Sequence, residues 1–321
     1  MKKSKKPIVA ICYDFDGTLC PGNMQEYGFF LGLEPAKRKT FWRKSNGMAA
    51  KLSADPNLTY MLSMIDSSNG VKTTQTAFRD YGRTIALYEG VKEWFGRIRK
   101  YGKERGLVVQ HYIISSGLKE MVEGSIIGKE FERIYACSFI YDANGAAMWP
   151  AQVVNCTSKT QYLFRINKGI TDDADLTKLN EFVKQEDRAV PFNRMIYIGD
   201  GSTDIPCMRL VKEQGGISIG VYKPKTSQRK VAEKLYKDGR INFVTPADYS
   251  EGASLDDLVK RIIDKICAQV ELEKLGKKLN PKDEEQKNCD KTNTSFEDKK
   301  IIQSVDAPLK EPLEQNNNTN L

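Results

Sequence analysis

The chain has 321 residues, of which 40% are hydrophobic and 29% charged, as in soluble globular proteins of one large or two modest domains. Its formal net charge is +8, but Lys and Arg are spread along the chain, which argues against a nucleic-acid surface. No apolar run reaches the ~18 residues of a membrane helix. The composition therefore predicts neither nucleic-acid nor membrane partners, and its positive charge would modestly favour anionic substrates.

Cysteine and histidine usage narrows the possible chemistry. The seven cysteines are scattered and form no C-x-x-C pair, which favours reduced thiols over a disulfide framework or a zinc site. The apolar stretch after the basic N-terminus is interrupted by Asp14 and Asp16, so we predict a cytoplasmic protein without a signal peptide. The one histidine, His111, lies in a strand-like run and is interpreted as a packed core residue.

Residues 13–18, Tyr-Asp-Phe-Asp-Gly-Thr, are the segment around which the chain is organised. They follow the apolar run 8–12, which has the length and β-branched content of a buried strand. Gly17 indicates a turn, so Asp14 and Asp16 are expected at the carboxyl end of a strand, where open α/β sheets bind ligands. Two neighbouring acids there need a cation or a proton. This favours a hard divalent ion such as Mg²⁺, the alternative being an ordinary Asp-Gly turn.

The next stretch, residues 24–99, has helical rather than strand periodicity. Apolar and aromatic side chains recur at helical spacing within 41–52, 60–65 and 78–88, and the last of these helices is expected to end near Gly90. We interpret this stretch as an inserted helical domain whose aromatic stripes form its own core.

Strand and helix patterns alternate in the rest of the chain. Strand-like runs lie at 107–114, 134–140, 193–198, 217–219 and 241–244, and helical patterns at 226–238 and 253–273. Asn144-Gly145 indicates a hairpin turn, because both residues accept positive φ, with Val153 on or just after its return strand. The alternation predicts an α/β fold, a doubly wound, Rossmann-like parallel sheet core.

These patterns define the predicted domains. Residues 1–20 and 100–273 form the Rossmann-like core, and residues 21–99 form a helical cap inserted after the first strand. Residues 275–321 are rich in Lys, Glu, Asp and Asn and are predicted to be a disordered tail.

Polar residues at predicted strand ends or helix starts form four short segments: Asp14/Asp16, Ser115, Lys159 and Asp200/Asp204. Taken singly, Ser115 suits either an anion site or a helix N-cap, and Lys159 suits a solvated helix residue. In type and order, however, the four segments resemble the motifs of the haloacid dehalogenase-like superfamily, most of whose members are Mg²⁺-dependent phosphatases. The resemblance covers roughly residues 7–245 and is nearest to the phosphoserine phosphatase branch.

The resemblance implies a role for each acid of the first and last motifs. Asp14 would be the nucleophile that forms an aspartyl-phosphate. Asp16 would protonate the leaving oxygen and then activate water. Mg²⁺ would be held by the Asp14 carboxylate, the Asp16 backbone carbonyl and Asp200.

The remaining motif residues are implied to bind phosphate or to orient their neighbours. Ser115 and Lys159 would contact the phosphoryl oxygens, and Asp204 would orient a metal-bound water or Lys159. The presence of Asp16 also argues against a dehalogenase, because breaking a carbon–halogen bond needs no proton for the leaving group.

The residues with which phosphoserine phosphatases grip their substrate have no clear counterparts. Their Glu after the first motif aligns with Asn23, with Glu26 about a turn away. Arg79 and Arg83 lie out of register with the cap Arg, and Thr203 replaces the usual Asn. L-phosphoserine is therefore possible but not favoured as the substrate.

The sequence thus predicts a Mg²⁺-dependent phosphomonoesterase that acts on a small phosphorylated metabolite. Two alternatives stay open at this point. One is a phosphotransferase or phosphomutase of the same superfamily, and the other is a non-catalytic protein that binds a phosphate ligand. The oligomeric state is not predicted.

Overall fold

The computed structural model describes residues 6–67, 70–170 and 176–279. The chain divides into two compact units, Met1–Cys267 and Ala268–Leu321. The described strands belong to the first unit, and the described residues of the second, 268–279, are helical. No helix in these described ranges is long and apolar enough to cross a membrane.

A sheet of seven strands, counted over the described residues, forms the centre of the first unit, in the order β4-β3-β2-β1-β5-β6-β7. The strands are β1 (Ile8–Tyr13), β2 (Val108–Leu118), β3 (Arg133–Tyr141), β4 (Ala147–Gln152), β5 (Met195–Gly199), β6 (Ile217–Tyr222) and β7 (Phe243–Pro246). Neighbouring strands are parallel, apart from the antiparallel pair β3 and β4. Since helices connect the parallel strands, the predicted doubly wound α/β fold is confirmed.

Strand β1 lies in the middle of this sheet, between β2 and β5. Its residues from Val9 onwards are buried, as expected for a parallel strand that is covered on both faces. Tyr13 is in register with Ile113 of β2 and with Ile198 of β5. The carboxyl ends of these three strands therefore meet at one edge of the sheet, where the strand order reverses.

The α-helices in the described part of the chain lie between the strands in sequence, apart from the last, which follows β7. They are α1 (Gly28–Gly32), α2 (Pro35–Leu52), α3 (Pro56–Asp66), α4 (Gln75–Gly82), α5 (Val91–Glu104), α6 (Lys119–Gly124), α7 (Lys159–Lys168), α8 (Leu176–Asn180), α9 (Ile205–Glu213), α10 (Gln228–Lys237) and α11 (Ser254–Leu279). The last helix includes residues 275–279, the start of the predicted tail. The rest of that tail, 280–321, lies outside the described residues.

Helix α5 packs on the sheet. The Trp94 indole N–H donates to the Tyr13 hydroxyl over 2.8 Å, and the Phe95 ring meets His111 edge-on with centroids 5.1 Å apart. His111 is itself buried on β2, as the sequence predicted. Residues 91–99, which the sequence analysis placed in the cap, thus contact the core, while the cap boundary as such stays a prediction.

Helix α4 ends at Gly82, earlier than the predicted end near Gly90. Gly82 packs directly on the main chain at Met121, where a Cβ would overlap the carbonyl oxygen. The chain then leaves the helix, and Ile85 is buried outside any helix. Because Ile85 contacts the core from a loop, its apolar side chain continues the helical spacing beyond the actual end of the helix.

The hairpin between β3 and β4 forms where the sequence predicted it, but for a different reason. Gly145 has a φ of 76°, whereas Asn144 has no positive φ. The Asp142 carboxylate accepts hydrogen bonds from the backbone N–H groups of Asn144 and Ala146, at 2.9 and 2.8 Å. An Asp side chain thus shapes the turn, and a single residue adopts the left-handed conformation.

Candidate active site

The predicted site residues sit at the edge of the sheet where β1, β2 and β5 end. Tyr13 of β1 is in register with Ile198 of β5. Asp14 directly follows Tyr13, and Asp200 lies two residues after Ile198. The Asp14 backbone N–H donates to the Ile198 carbonyl over 3.0 Å, which extends the strand pairing by one residue. The sheet register, rather than the sequence separation of 186 positions, brings these two acids together.

Asp14 is buried, with 5% of its surface exposed. One carboxylate oxygen, Oδ1, lies 3.1 Å from the Lys159 ammonium. Burial and the charge of Asp204 raise the pKa of Asp14 to about 7, while Lys159 opposes this shift. The carboxylate therefore needs a nearby cation to be charged at neutral pH, and an ammonium is already in contact with it.

Asp16 lies in the turn after β1 and is half-buried. Its Oδ1 atom accepts a hydrogen bond from the backbone N–H of Met24 over 2.9 Å. Burial and the charge of Asp14 raise the pKa of Asp16 to about 8. A carboxyl group with a pKa raised in this way can carry a proton near neutral pH, as a group that protonates a leaving oxygen must.

Gly17 lets the turn come close to the end of β5. Its φ is 72°, and a Cβ built on it would overlap the Asp200 carboxylate. Glycine is required at this position for two reasons: other residues rarely adopt this φ, and there is no room for a side chain. The turn therefore packs directly against Asp200.

Lys159 begins α7 and is fully buried. Its ammonium contacts Asp204 at 2.8 Å and Asp14 at 3.1 Å. Burial alone would lower the pKa of Lys159, but the charges of Asp14 and Asp204 outweigh it and raise the pKa. The sequence left open a solvated role for this lysine; the structure instead makes it a buried cation between two acids.

Asp204 is also fully buried, in the 3-10 turn Ser202–Asp204 before α9. Its Oδ1 atom accepts hydrogen bonds from the Lys159 ammonium and from the Tyr197 hydroxyl, each over 2.8 Å. Its Oδ2 atom is buried and has no hydrogen-bond partner among the described residues. An orphaned carboxylate oxygen of this kind is costly unless a ligand or an ion contacts it.

Ser115 is buried inside β2, which continues to Leu118 after a register shift that begins at Ile114. The strand was predicted to stop at Ser115-Ser116-Gly117, with a helical pattern from Leu118. Helix α6 starts at Lys119, close to that prediction, and has six residues, but Ser115 lies within the strand rather than at a helix N-terminus. Its hydroxyl oxygen accepts the Gly117 backbone N–H over 3.0 Å, which leaves the hydroxyl hydrogen for another acceptor.

A divalent cation fits the acids at this edge. Asp14, Asp200 and Asp204 each offer an oxygen, and the three oxygens lie within 4.8 Å of one another. Burial and the charges of Asp14 and Asp204 raise the pKa of Asp200 to about 8. An all-oxygen donor set suits a hard ion such as Mg²⁺, and the orphaned Asp204 oxygen is consistent with a positive group nearby. This set includes Asp204, whereas the resemblance pointed to the Asp16 carbonyl.

Arg79, Arg83 and Glu26, the side chains nearest in sequence to the phosphoserine-gripping positions, make contacts within the chain. Arg79 pairs with Glu123 of α6 at 3.0 Å, and Arg83 pairs with Asp80 at the surface at 3.1 Å. The Glu26 carboxylate accepts hydrogen bonds from the side chains of Asn23 and Trp42. Each of these charged side chains therefore has a partner within the chain itself.

Sequence reasoning missed the residues that hold the motif loops in place. The Tyr197 hydroxyl donates to Asp204, the Tyr60 hydroxyl donates to the Ser116 carbonyl over 2.8 Å, and the Tyr249 hydroxyl donates to the Thr18 carbonyl over 2.9 Å. All three tyrosines are buried. Tyr60 and Tyr197 stand in apolar runs that predicted only core packing, and Tyr249 stands in a polar segment with no helix or strand pattern, so none of them gave a sign of a polar task.

Comparison with known proteins places the chain in a family. The family model of haloacid dehalogenase-like hydrolases matches residues 11–209, a range that contains all the motif residues. An uncharacterized protein of Borreliella burgdorferi is 27% identical over 295 residues, which cover 83% of this chain and 99% of that protein.

Two solved structures are similar to this chain. A substrate-bound phosphoserine phosphatase is 17% identical, with a TM-score of 0.49 and a coverage of 80% of this chain and 99% of that one. A probable phosphoserine phosphatase from Vibrio cholerae is 14% identical, with a TM-score of 0.51 and a coverage of 84% of this chain and 67% of that one, which shows a shared fold. Given the family match over residues 11–209, the chain belongs to the haloacid dehalogenase-like hydrolases.

Proposed function

We propose that the chain is a Mg²⁺-dependent phosphomonoesterase that hydrolyses a small phosphorylated metabolite through an aspartyl-phosphate on Asp14. The observation that carries this proposal is the buried contact of Lys159 with both Asp14 and Asp204, at 3.1 and 2.8 Å. Phosphoryl transfer depends mostly on positioning and on neutralising spread negative charge. A nucleophilic carboxylate held by a buried ammonium meets both needs.

The reaction would take place in two steps on this chain's own residues. In the first, an Asp14 carboxylate oxygen attacks phosphorus, the bond from phosphorus to the leaving oxygen breaks, and Asp16 gives that oxygen its proton. In the second, Asp16 takes a proton from water, the water oxygen attacks phosphorus, and the bond to Asp14 breaks. Inorganic phosphate leaves, and both carboxylates return to their starting states.

The other polar residues would bind and orient the phosphoryl group. Lys159 and the Ser115 hydroxyl would contact its oxygens. Asp14, Asp200 and the Asp16 main-chain carbonyl are the proposed Mg²⁺ ligands, and the Asp204 carboxylate lies within reach of the same site. When bound, the ion would neutralise charge on the phosphoryl oxygens.

We also propose that α1–α4 form the cap that limits substrate size. Helix α3 contacts two of the motif loops: Tyr60 bonds to the Ser116 carbonyl, and the Asn57 side-chain amide donates to the Val154 carbonyl over 3.0 Å. These contacts lie next to Ser115 and upstream of Lys159. A cap in this position would exclude water and bulky substrates from the site.

The test is release of inorganic phosphate from a panel of phosphomonoesters that includes p-nitrophenyl phosphate and phosphoserine. Wild type should release phosphate with Mg²⁺ and not with EDTA, and Asp14→Asn should lose at least 100-fold in kcat, because the amide is not a nucleophile. Asp80→Asn is the matched control, since Asp80 is exposed and pairs with Arg83. It should keep the wild-type rate.

The alternatives give different results in the same assay. A phosphotransferase would pass phosphate to added glycerol faster than to water. A binding protein would release no phosphate from any compound, although it would still bind Mg²⁺ and phosphate. Near wild-type turnover by Asp14→Asn would reject the mechanism itself.

A further inference from the structure

Tyr197 is a buried tyrosine of β5 whose hydroxyl faces the acid cluster. It has no exposed surface, and its hydroxyl donates to Asp204 Oδ1 over 2.8 Å. An apolar β-branched residue would serve equally well in the middle of a sheet, and it would bring no buried hydroxyl that needs a partner. The hydroxyl thus does something that the strand does not need.

The same Asp204 oxygen links Tyr197 to the proposed chemistry. Oδ1 also accepts the Lys159 ammonium over 2.8 Å, and Lys159 in turn contacts Asp14 at 3.1 Å. Asp204 also offers an oxygen to the group of three carboxylates with Asp14 and Asp200. The orientation of the Asp204 carboxylate therefore affects both the buried ammonium and the acidic site.

The two partners differ in how firmly the fold holds them. Tyr197 is in register with Cys12 of β1 on one side and Ser218 of β6 on the other, so its backbone is fixed by both neighbouring strands. Asp204 stands in the short 3-10 turn before α9. A phenol on a central strand can hold a carboxylate on a turn in one orientation, as supporting hydrogen bonds do for metal ligands elsewhere.

We propose that Tyr197 is a positioning residue that holds Asp204 in the orientation required for Mg²⁺ binding. This inference rests on the proposed function, because it assumes that the acid cluster takes up the ion. Partners that orient metal ligands typically contribute a factor of about 10–100 in affinity. Removing the hydroxyl should weaken Mg²⁺ binding by about tenfold, since Asp204 would then be held by Lys159 alone and could rotate.

The experiment measures Mg²⁺ binding directly, by isothermal titration calorimetry on the full chain without substrate. Tyr197→Phe keeps the ring and removes only the hydroxyl. Tyr112→Phe is the matched control, because Tyr112 is a buried tyrosine of β2, two strands away in the same sheet, whose hydroxyl bonds to Gln110 over 2.8 Å. We expect the Mg²⁺ Kd to rise about tenfold in Tyr197→Phe and to stay at the wild-type value in Tyr112→Phe.

A double-mutant cycle shows whether Tyr197 acts through Asp204. Asp204→Asn should also weaken Mg²⁺ binding, and adding Tyr197→Phe to it should weaken binding no further. Full additivity of the two effects would overturn the proposal. A wild-type Mg²⁺ Kd in Tyr197→Phe would also overturn the proposal, because the hydroxyl would then have no role in binding. Failure of Tyr197→Phe to fold in EDTA would overturn it as well, because the role of the hydroxyl would then be purely structural.

Failure of the inference is distinguishable from failure of the proposed function. If wild type binds Mg²⁺ and releases phosphate, and Tyr197→Phe binds the ion equally well, only the role of Tyr197 is wrong. If wild type binds no Mg²⁺ in the millimolar range, the proposed function fails and this inference fails with it.

Discussion

Replacing Lys159 with methionine tests the charge balance of the site. Methionine has nearly the same length and shape, so the change removes the ammonium while filling most of its space. Asp14 and Asp204 would then be two buried acids without their shared cation. We expect a large loss of stability in EDTA and a loss of at least 100-fold in kcat with Mg²⁺, since Lys159 would no longer neutralise the phosphoryl oxygens.

The size of the stability loss follows from the contact distances. At about 3 Å and an effective dielectric constant of ~20, two unit charges attract by about 5.5 kcal/mol, and Lys159 has two such contacts, at 2.8 and 3.1 Å. Burying the ammonium costs several kcal/mol against this gain. Removal of one partner of a buried pair typically costs about 3–5 kcal/mol, and we expect a value in that range.

Urea unfolding of wild type and Lys159→Met in EDTA measures this loss. The matched control is Lys37→Met, whose lysine is exposed and lies 3.7 Å from Glu34. Its loss should be below about 1 kcal/mol, as for other surface pairs. Adding Mg²⁺ should narrow the gap between Lys159→Met and wild type, because the ion supplies positive charge to the same acids. A Lys159→Met loss no greater than that of the control would refute the reasoning.

Three further changes test other parts of the site. Gly17→Ala should lower both stability and activity, because a Cβ at φ 72° would overlap the Asp200 carboxylate. The control is Gly47→Ala, at a helical position with open space, which should be neutral or stabilising by up to about 1 kcal/mol. Equal effects of the two substitutions would contradict this reasoning. Asp16→Asn should reduce kcat/KM far more for an alkyl phosphate than for p-nitrophenyl phosphate, whose leaving group needs no proton; equal losses would remove Asp16 from the acid role. The pKa of His111 is lowered to about 3 by burial and by the charge of Arg99, whereas the same side chain in the unfolded chain has a pKa of ~6.5. The neutral imidazole therefore contributes its full stability above pH ~6.5, and this contribution is lost as the pH falls towards 3. Between pH 7 and pH 5 the loss of this contribution lowers the free energy of unfolding of wild type by about 2 kcal/mol. Over the same interval His111→Gln should lose about 2 kcal/mol less than wild type, as urea unfolding at the two pH values would show. An equal loss in the two proteins would contradict the role given to His111.

The residues at the centre of the sheet were predictable from the sequence. The run before Asp14 is apolar and β-branched because β1 is covered on both faces, and this property is visible in the sequence alone. The glycines and acids after β1 and β5 also follow from local chemistry, since a close turn needs glycine at Gly17 and a ligand site needs oxygen donors. The sequence alone therefore predicts the α/β fold and the presence of acidic residues after β1 and β5.

The contacts between distant segments were not predictable in this way. The register that places Tyr13 beside Ile198 depends on packing across the whole sheet, and a single chain carries no local sign of it. The role of Tyr197 is hidden because a tyrosine in a buried strand looks like any other core residue. The end of α4 at Gly82 was missed because Ile85 reaches the core from a loop, and the helical pattern does not distinguish these cases.

The measurement that tests the central claim most directly is capture of the phosphorylated enzyme. Wild type and Asp14→Asn are incubated with Mg²⁺ and p-nitrophenyl phosphate carrying a radioactive phosphoryl group, quenched in acid, digested and mapped. The account predicts a hydroxylamine-labile label on Asp14 in wild type and none in the variant, because the intermediate is an acyl phosphate. Turnover by wild type with the label on another residue, or continued turnover by Asp14→Asn, would contradict it.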